Sequence, residues 1–223
     1  MLKRKIFTCV SLKVLTVFCS LGGVIISLVN AKKDGYSHYL KRLLYFTAQS
    51  NIWLGVTFLL ILFLPFIKAC NNERFKNILY LLKYAFTVSI TVTALVFCCF
   101  LAPFSPSDYK PWTLSGFLTH VFSPLFAIAD YFFDNHEIKF KHYYLPFSLL
   151  PPLIYLICAS VLSILGVDFG RGVNYPYFFL NFFSPVGFFG FSNQKPFVIG
   201  SFYYLVILTI IILFLGYIFA KLK

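Results

Sequence analysis

The stretch LLYFTAQSNIWLGVTFLLILFLPFI, residues 43–67, decides the fold class. It contains no Asp, Glu, Lys, Arg or His. At 1.5 Å per residue it is long enough to cross the roughly 30 Å hydrocarbon core of a bilayer as a helix. The stretch therefore predicts a transmembrane helix. Its beginning is unusual because four hydrogen-bonding side chains lie where the apolar run starts, namely Thr47, Gln49, Ser50 and Asn51.

Five further apolar runs of similar length lie at about residues 9–29, 78–102, 113–133, 144–166 and 198–220. The chain is 60% hydrophobic and 12% charged, whereas soluble domains are roughly 45–50% apolar and about 25% charged. A soluble protein of this composition would lack a polar surface. We therefore expect an all-α polytopic membrane protein, in which residues 1–223 form a single domain, a bundle of six transmembrane helices.

The first apolar run also resembles a secretory signal peptide. The basic segment MLKRK precedes it, and Val29 and Ala31 occupy positions compatible with cleavage. Its apolar core is long for a signal peptide, so we interpret the segment as the first helix of the bundle.

The net charge of +12 is carried by short basic clusters between the apolar runs, such as MLKRK and AKKDG. Loops that face lipid headgroups show this distribution, and the sequence has no continuous basic face for a nucleic acid. Membrane lipids are therefore the expected partners, and nucleic acid is not. Lys and Arg are more numerous on the side of the N terminus, which predicts a multi-pass protein of the cell membrane with both termini in the cytoplasm.

Cysteine and histidine patterns point to neither disulfides nor metal. Five of the six cysteines lie inside apolar runs and Cys70 lies in a short basic loop, so a disulfide framework is not expected. The stretch DNHEIKFKH, residues 134–142, matches no recognised metal-ligand spacing and is more typical of a solvated loop. We predict no metal and no cofactor.

The polar cluster at the start of residues 43–67 has helical spacing. Thr47, Ser50 and Asn51 stand at i, i+3 and i+4 and so share one helix face, whereas Gln49 points elsewhere. By spacing alone, this face predicts hydrogen bonds between neighbouring helices of a membrane bundle.

Two ionisable residues lie within the fourth apolar run. The imidazole of His120 can act as a base near neutral pH; the alternative is a histidine that only joins two helices. Pro124 offers no amide hydrogen to the carbonyl of His120, which predicts a kink. Asp130 lies ~15 Å deeper along the helix. Two structural roles are open to Asp130: it bonds a neighbouring helix, or it approaches the inner interface if the helix ends early.

The positions of Thr47 and His120 correspond in depth. The second and fourth apolar runs cross the membrane in the same direction, and the two residues differ by only ~5 Å in depth. The aromatic segment NYPYFFLNFFSPVGFFGF, residues 174–191, reaches the membrane on the same side. This segment is either an aromatic belt at headgroup level or a lid over a site for a lipid-like molecule.

Three stretches in order, YFTAQSN, LTHVFSPLFAIAD and NYPYFFLNF, resemble the androgen-induced gene and androgen-dependent TFPI-regulating protein family, in particular its prokaryotic six-helix branch. Characterised animal members are integral-membrane threonine hydrolases that cleave fatty acid esters of hydroxy fatty acids without a metal. The resemblance implies that Thr47 is the nucleophile and His120 the catalytic histidine, and Asp130 matches an acidic position of the family. The expected supporting residues are Ser50, Asn51, Asp130 and Tyr177, and Asn51 is the expected donor to an oxyanion.

Two functions follow as hypotheses. The first is a membrane-embedded esterase that uses Thr47 and His120 on fatty-acyl ester lipids, with a lipid-like small molecule as substrate. The second is a non-enzymatic integral membrane protein, either a small transporter or a lipid-binding scaffold, in which the same residues line a path or join helices. The sequence shows no evident internal repeat, which disfavours transport.

Overall fold

The computed structural model of the chain describes residues 2–66, 72–103, 110–134, 142–170, 172–193 and 198–222. Its helices are α1 Leu2–Asn30, α2 Phe46–Phe63, α3 Glu73–Val96, α4 Leu114–Phe117, α5 Ser123–Phe133, α6 Leu150–Ile164 and α7 Ser201–Leu222. One π-turn, Phe97–Leu101, extends α3, and a second, Leu118–Phe122, joins α4 to α5. Short 3-10 segments lie at Tyr39–Leu44, Leu64–Phe66, His142–Ser148 and Phe178–Leu180. The protein is an all-α polytopic membrane protein, as predicted.

Five helical segments in the described residues are long and apolar enough to cross a membrane. They are Phe7–Asn30, Phe46–Phe66, Glu73–Leu101, Leu114–Phe133 and Ser201–Leu222. The fifth predicted span, residues 144–166, contains the shorter α6, whose 15 residues cover ~22 Å. Prolines explain the difference. Pro151 and Pro152 lie in the first turn of α6, and Pro146 lies inside the 3-10 segment that precedes it. Because proline cannot donate a helical hydrogen bond, the α-helix does not extend further towards the N terminus.

The centre of the bundle is α3, the most buried of the five long segments, whereas α7 is the least buried. α1 packs along α2 and α5, and α3 contacts α2, α5, α6 and α7. A small residue permits the close approach of α1 to α2: a Cβ added to Gly55 would lie 2.6 Å from the Ser20 hydroxyl oxygen. Close helix contacts through glycine are common in membrane bundles. α1 is therefore an integral part of the packed bundle.

The aromatic segment before α7 lies partly over the bundle and partly outside it. Phe179 and Leu180 are buried and pack with Tyr155 of α6 and with Phe169, which precedes the segment, whereas other rings, such as Phe191, are exposed. Two contacts hold the residues just before this segment against the loop that follows α1. Lys41 pairs with Asp168 at 2.5 Å, and Gly170, at a φ of +112°, lies so close to the Tyr36 ring that a Cβ would be 2.4 Å from it.

Cys9, Cys19, Cys98, Cys99 and Cys158 are free thiols, and Cys70 lies outside the described residues. Residues 135–141, which hold most of the DNHEIKFKH stretch, lie outside them as well.

Candidate active site

Thr47 occupies the first turn of α2, where the backbone N–H groups have no partner within the helix. The hydroxyl of Tyr177 accepts the N–H of Thr47 at 3.4 Å. It also contacts the side chain of Thr47. The N–H groups of the next two residues, Ala48 and Gln49, bond the Tyr45 carbonyl. Thr47 therefore lies at the positive end of the α2 dipole, in contact with a hydroxyl from the aromatic segment.

Ser50 and Asn51 connect the start of α2 to its neighbours. The Ser50 hydroxyl donates to the Thr47 carbonyl and contacts the Thr93 hydroxyl of α3, both at 3.2 Å. The Asn51 amide donates to the carbonyls of Thr47 at 2.8 Å and Thr119 at 3.3 Å. The interhelical hydrogen bonds predicted from the i, i+3, i+4 spacing are confirmed. They hold the segment that carries Thr47 against the π-turn that carries His120.

The expected role of Asn51 as an oxyanion donor conflicts with these contacts. Its Nδ2 has two hydrogens, and each is directed at a carbonyl oxygen. The remaining polar atom, Oδ1, is an acceptor, and it is buried without a hydrogen-bond partner among the described residues. Asn51 therefore positions the backbone of the site and does not face an incoming negative charge.

His120 is buried, with 8% of its surface exposed, and it lies in the π-turn between α4 and α5. Its ring stacks on Phe97, in the other π-turn, with centroids 3.7 Å apart and an interplanar angle of 6°. The ring also meets the backbone of Thr93. Nδ1 has no hydrogen-bond partner in the described part of the chain. The imidazole is therefore oriented by packing, and its Nδ1 is both buried and unpartnered among the described residues.

The irregular helix around His120 follows from Pro124. Because Pro124 has no N–H, the carbonyl four residues before it, that of His120, cannot form the usual α-helical bond. The chain adopts a π-turn immediately before the proline, closed by the bond from the Ser123 N–H to the Leu118 carbonyl. π-turns of this kind occur frequently at functional sites.

Thr47, His120 and Tyr177 line one large cavity of about 1050 Å³, which we call the vestibule. Its wall also contains polar and charged residues from the loops, namely Lys33, Asp34, Arg42 and Lys110. Arg42 pairs with Asp34 and lies 4.2 Å above the centre of the Tyr36 ring. The vestibule is therefore a cavity of mixed polar and apolar lining, with the candidate nucleophile and base in its wall.

A second cavity of about 220 Å³, which we call the apolar chamber, lies between α3, α6 and α7. Aliphatic side chains form most of its wall, including those of Val92, Val96, Leu156, Leu205 and Leu208. Thr47 and Tyr177 line this chamber as well as the vestibule. Thr47 therefore belongs to the boundary between a space of mixed lining and an apolar space.

The resemblance predicts a supporting role for Tyr177, and in the structure Tyr177 contacts Thr47. Its ring stacks on Phe179 at 5.1 Å and meets Tyr45 edge-on at 5.7 Å. Burial raises the pKa of Tyr177 to about 12, so the hydroxyl is protonated at neutral pH. Tyr155 of α6, which the sequence did not single out, is buried between Phe46 and Tyr177. No local signal predicts it, because its role depends on packing across distant segments.

Asp130 lies outside the set of residues that line the vestibule with Thr47 and His120. Its carboxylate is fully buried and pairs with Lys13 of α1 at 2.8 Å and with Lys83 of α3 at 2.5 Å. Asp134 completes the group, at 2.9 Å from Lys13 and 2.7 Å from Lys83. As expected, Asp130 bonds neighbouring helices, because a buried carboxylate requires a partner of opposite charge. We call these four residues the ion cluster.

Comparisons with models of protein families, with curated proteins and with solved structures found no match to this chain.

Proposed function

We propose that this protein is a membrane-embedded lipid hydrolase in which Thr47 is the nucleophile and His120 the base, acting on fatty-acyl ester lipids. The observation that carries the proposal is the shared vestibule, whose wall contains the Thr47 hydroxyl and an imidazole with an unpartnered nitrogen. A threonine hydroxyl needs a nearby base to become a nucleophile. The apolar chamber beside Thr47 offers space for an acyl chain, and the three motifs shared with the threonine hydrolase family support the same assignment.

In the proposed first step, the Thr47 hydroxyl oxygen attacks the carbonyl carbon of the ester while its proton passes to Nδ1 of His120. The tetrahedral intermediate then collapses. The bond from the carbonyl carbon to the leaving oxygen breaks, and His120 returns the proton to that oxygen. An alcohol leaves, and the acyl group remains on Thr47 as an ester.

In the second step, water from the vestibule attacks the acyl-threonine and gives a proton to His120. Collapse of the second intermediate releases the fatty acid, and the proton returns to the Thr47 oxygen. The chain itself supplies the nucleophile of the first step and the base of both steps, and water is the nucleophile of the second step.

Two donors next to Thr47 suit the developing oxyanion. The Tyr177 hydroxyl accepts the Thr47 N–H, and as a phenol it can also donate its own hydrogen to a substrate oxygen. The Thr47 N–H can transfer from Tyr177 to the oxyanion at the positive end of α2. These donors replace Asn51 in the role first expected of it.

A hydrolysis assay on the purified protein tests the proposal. Thr47→Val removes the hydroxyl and keeps the shape, and Thr57→Val makes the same change at a buried position of α2 outside both cavities. We expect Thr47→Val to lower the rate of fatty-acyl ester cleavage by about 1000-fold or more, and Thr57→Val to leave it within twofold. A folded wild-type protein without activity, or equal rates for both variants, would contradict the proposal.

The second candidate function is lipid binding without chemistry, and the two adjoining cavities favour it too. A lipid that copurifies with wild type and with Thr47→Val in equal amounts, and that neither protein cleaves, would support this function over hydrolysis.

We propose the cell membrane as the location, with both termini in the cytoplasm, on the basis of the Lys and Arg distribution. Two basic residues counted on the inner side, Lys13 and Lys83, belong to the ion cluster and do not face headgroups. The remaining bias still favours the inner side. Fusions of a cytoplasm-dependent fluorescent reporter to each terminus should both fluoresce, and a dark C-terminal fusion would contradict this orientation.

A further inference from the structure

We infer that the apolar chamber is a binding site for a single acyl chain, which reaches it sideways from the membrane between α6 and α7. The binding stands on the shape and lining of the chamber. Its catalytic meaning rests on the proposed function, since the ester of a bound chain would lie at Thr47.

The position of the chamber supports a chain as its occupant. α6 and α7 both pack on α3, but in the described part of the chain they make no extensive contact with each other. The chamber fills the space left between them, with Leu156 on one wall and Leu205 and Leu208 on the other. Such walls make apolar contacts with a methylene chain, whether the chain comes from water or from the surrounding lipid.

The chamber opens towards the lipid. Leu153 of α6 and Thr209 of α7 line it, and both are also exposed on the outside of the bundle, Leu153 by 49%. The Thr209 hydroxyl donates to the Leu205 carbonyl of its own helix, so it presents no unpaired polar group to a passing chain. α7 is the least buried of the long segments. An acyl chain in the surrounding bilayer therefore meets this opening without crossing water.

The size of the chamber selects the class of ligand. Complete small-molecule ligands occupy pockets of about 300–1,000 Å³, whereas the chamber has about 220 Å³. It therefore holds one chain segment and not a whole two-chain lipid. The inner end of the chamber is the boundary formed by Thr47 and Tyr177, beyond which lies the vestibule. A single-chain ester with its polar end in the vestibule and its chain in the chamber fits both spaces.

Photo-crosslinking in lipid nanodiscs tests the inference independently of hydrolysis. The probe is a palmitoyl ester with a mid-chain diazirine and a terminal alkyne, and labelled peptides are mapped by mass spectrometry. We expect labelling concentrated on residues 152–156 and 205–209. Leu208→Trp fills the chamber and should reduce this labelling about tenfold, because the larger ring occupies the space that the chain would take. Ile210→Trp, at a position 60% exposed on the same helix, is the matched control and should label like wild type.

The outcomes separate the chamber from the chemistry. Chamber labelling of a folded wild-type protein that shows no esterase activity keeps the chain site and removes the proposed function. Labelling spread evenly over all lipid-facing peptides, and equal in Leu208→Trp and Ile210→Trp, overturns the inference even if hydrolysis is found. Leu205→Phe serves as a second blocking variant if Leu208→Trp does not fold.

Discussion

Thr47 lines both cavities, while hydrogen bonds fix the backbone of the same residue. Ser50 and Asn51 donate to its carbonyl, and Tyr177 accepts its N–H. All these contacts leave the side chain at the wall of both cavities. A nucleophile held in this way loses little conformational freedom when a substrate binds, which is the benefit of preorganisation.

Tyr177→Phe tests the proposed oxyanion donor. Removal of a donor that acts in the transition state lowers kcat by about 100-fold and leaves KM nearly unchanged. Steady-state kinetics on a fatty-acyl ester measure both constants. Tyr175→Phe is the matched control, because Tyr175 also lines the vestibule. A loss confined to KM, or the same loss in both variants, would show that Tyr177 only shapes the cavity.

Asn51→Leu tests the positioning role of the amide. The change leaves the carbonyl of Thr119 without its side-chain donor, and we expect the free energy of unfolding to fall by about 1–3 kcal/mol. Thermal unfolding in detergent measures the change. Gln49→Leu removes a single bond, to the Leu43 carbonyl, and should cost less. Equal stability of Asn51→Leu and wild type would argue against this role.

The polar face of α2 could be predicted at the residue scale, and its partner residues could not. Thr47, Ser50 and Asn51 share a face because helix periodicity is local. The contact between Thr47 and Tyr177 joins residues 130 positions apart and depends on the path of the aromatic segment. The hydrogen bond from the Asn51 amide to the Thr119 carbonyl could not be predicted for the same reason, since Thr119 belongs to another helical segment.

At the scale of elements, two π-turns face each other. Phe97 begins one and His120 lies in the other, and their rings stack. Trp112 packs edge-on against Phe97 at 5.3 Å. The irregularity in the fourth span could be expected from Pro124. The π-turn at the end of α3 has the same relation to a proline, because Pro103 follows Leu101 by two residues as Pro124 follows Phe122.

The ion cluster joins α1, α3 and the end of α5, and it carries two positive and two negative charges. Lys83→Met leaves two carboxylates with one lysine, which we expect to destabilise the protein by about 3–5 kcal/mol. The double variant Lys83→Met/Asp130→Leu should recover most of this loss. Thermal unfolding of the two single variants and the double variant gives the coupling.

An exposed pair of the same type provides the control for the ion cluster. Lys76 and Glu73 pair on the surface of α3, and Lys76→Ala should change stability by less than about 0.5 kcal/mol. Strictly additive losses in the double variant of the ion cluster would contradict the coupling.

Acidification should weaken the ion cluster only at low pH. Burial alone would raise the pKa of Asp134, but Lys83 and Lys13 outweigh it and hold that pKa well below its usual value of 3.8. A carboxylate with a depressed pKa contributes stability above its unfolded value and loses it as pH falls towards the folded value. The contribution of Asp134 should therefore be constant from pH 7 to about 4 and decline below that. Asp134→Asn should be less stable at pH 7 and less sensitive to acid. Equal acid sensitivity in both proteins would argue against the pairing.

At the scale of the whole molecule, the hydropathy pattern predicted the fold class because bilayer thickness sets the length of each apolar run. The prediction of six spans was one too many by length in the described residues, since prolines shorten the fifth run to α6. Neither cavity could be predicted, because each depends on which helices are neighbours. The depth match of Thr47 and His120 indicated only that the two residues could meet the same space.

The layout of the molecule is that of a site between two environments. Polar loops and the aromatic segment border the vestibule, and lipid-facing helices border the apolar chamber. Thr47 and Tyr177 lie where the two spaces meet. An amphiphile placed across this boundary presents its polar bond to the candidate nucleophile, which is the arrangement that lipid hydrolysis requires.

The most direct test of the central claim is labelling with an alkyl fluorophosphonate, followed by mapping of the modified residue by mass spectrometry. We expect phosphonylation of Thr47 in wild type and in Thr57→Val, and none in Thr47→Val. In His120→Gln the labelling rate should fall by about 100-fold or more. Labelling of another residue, or equal labelling of wild type and Thr47→Val, would contradict it.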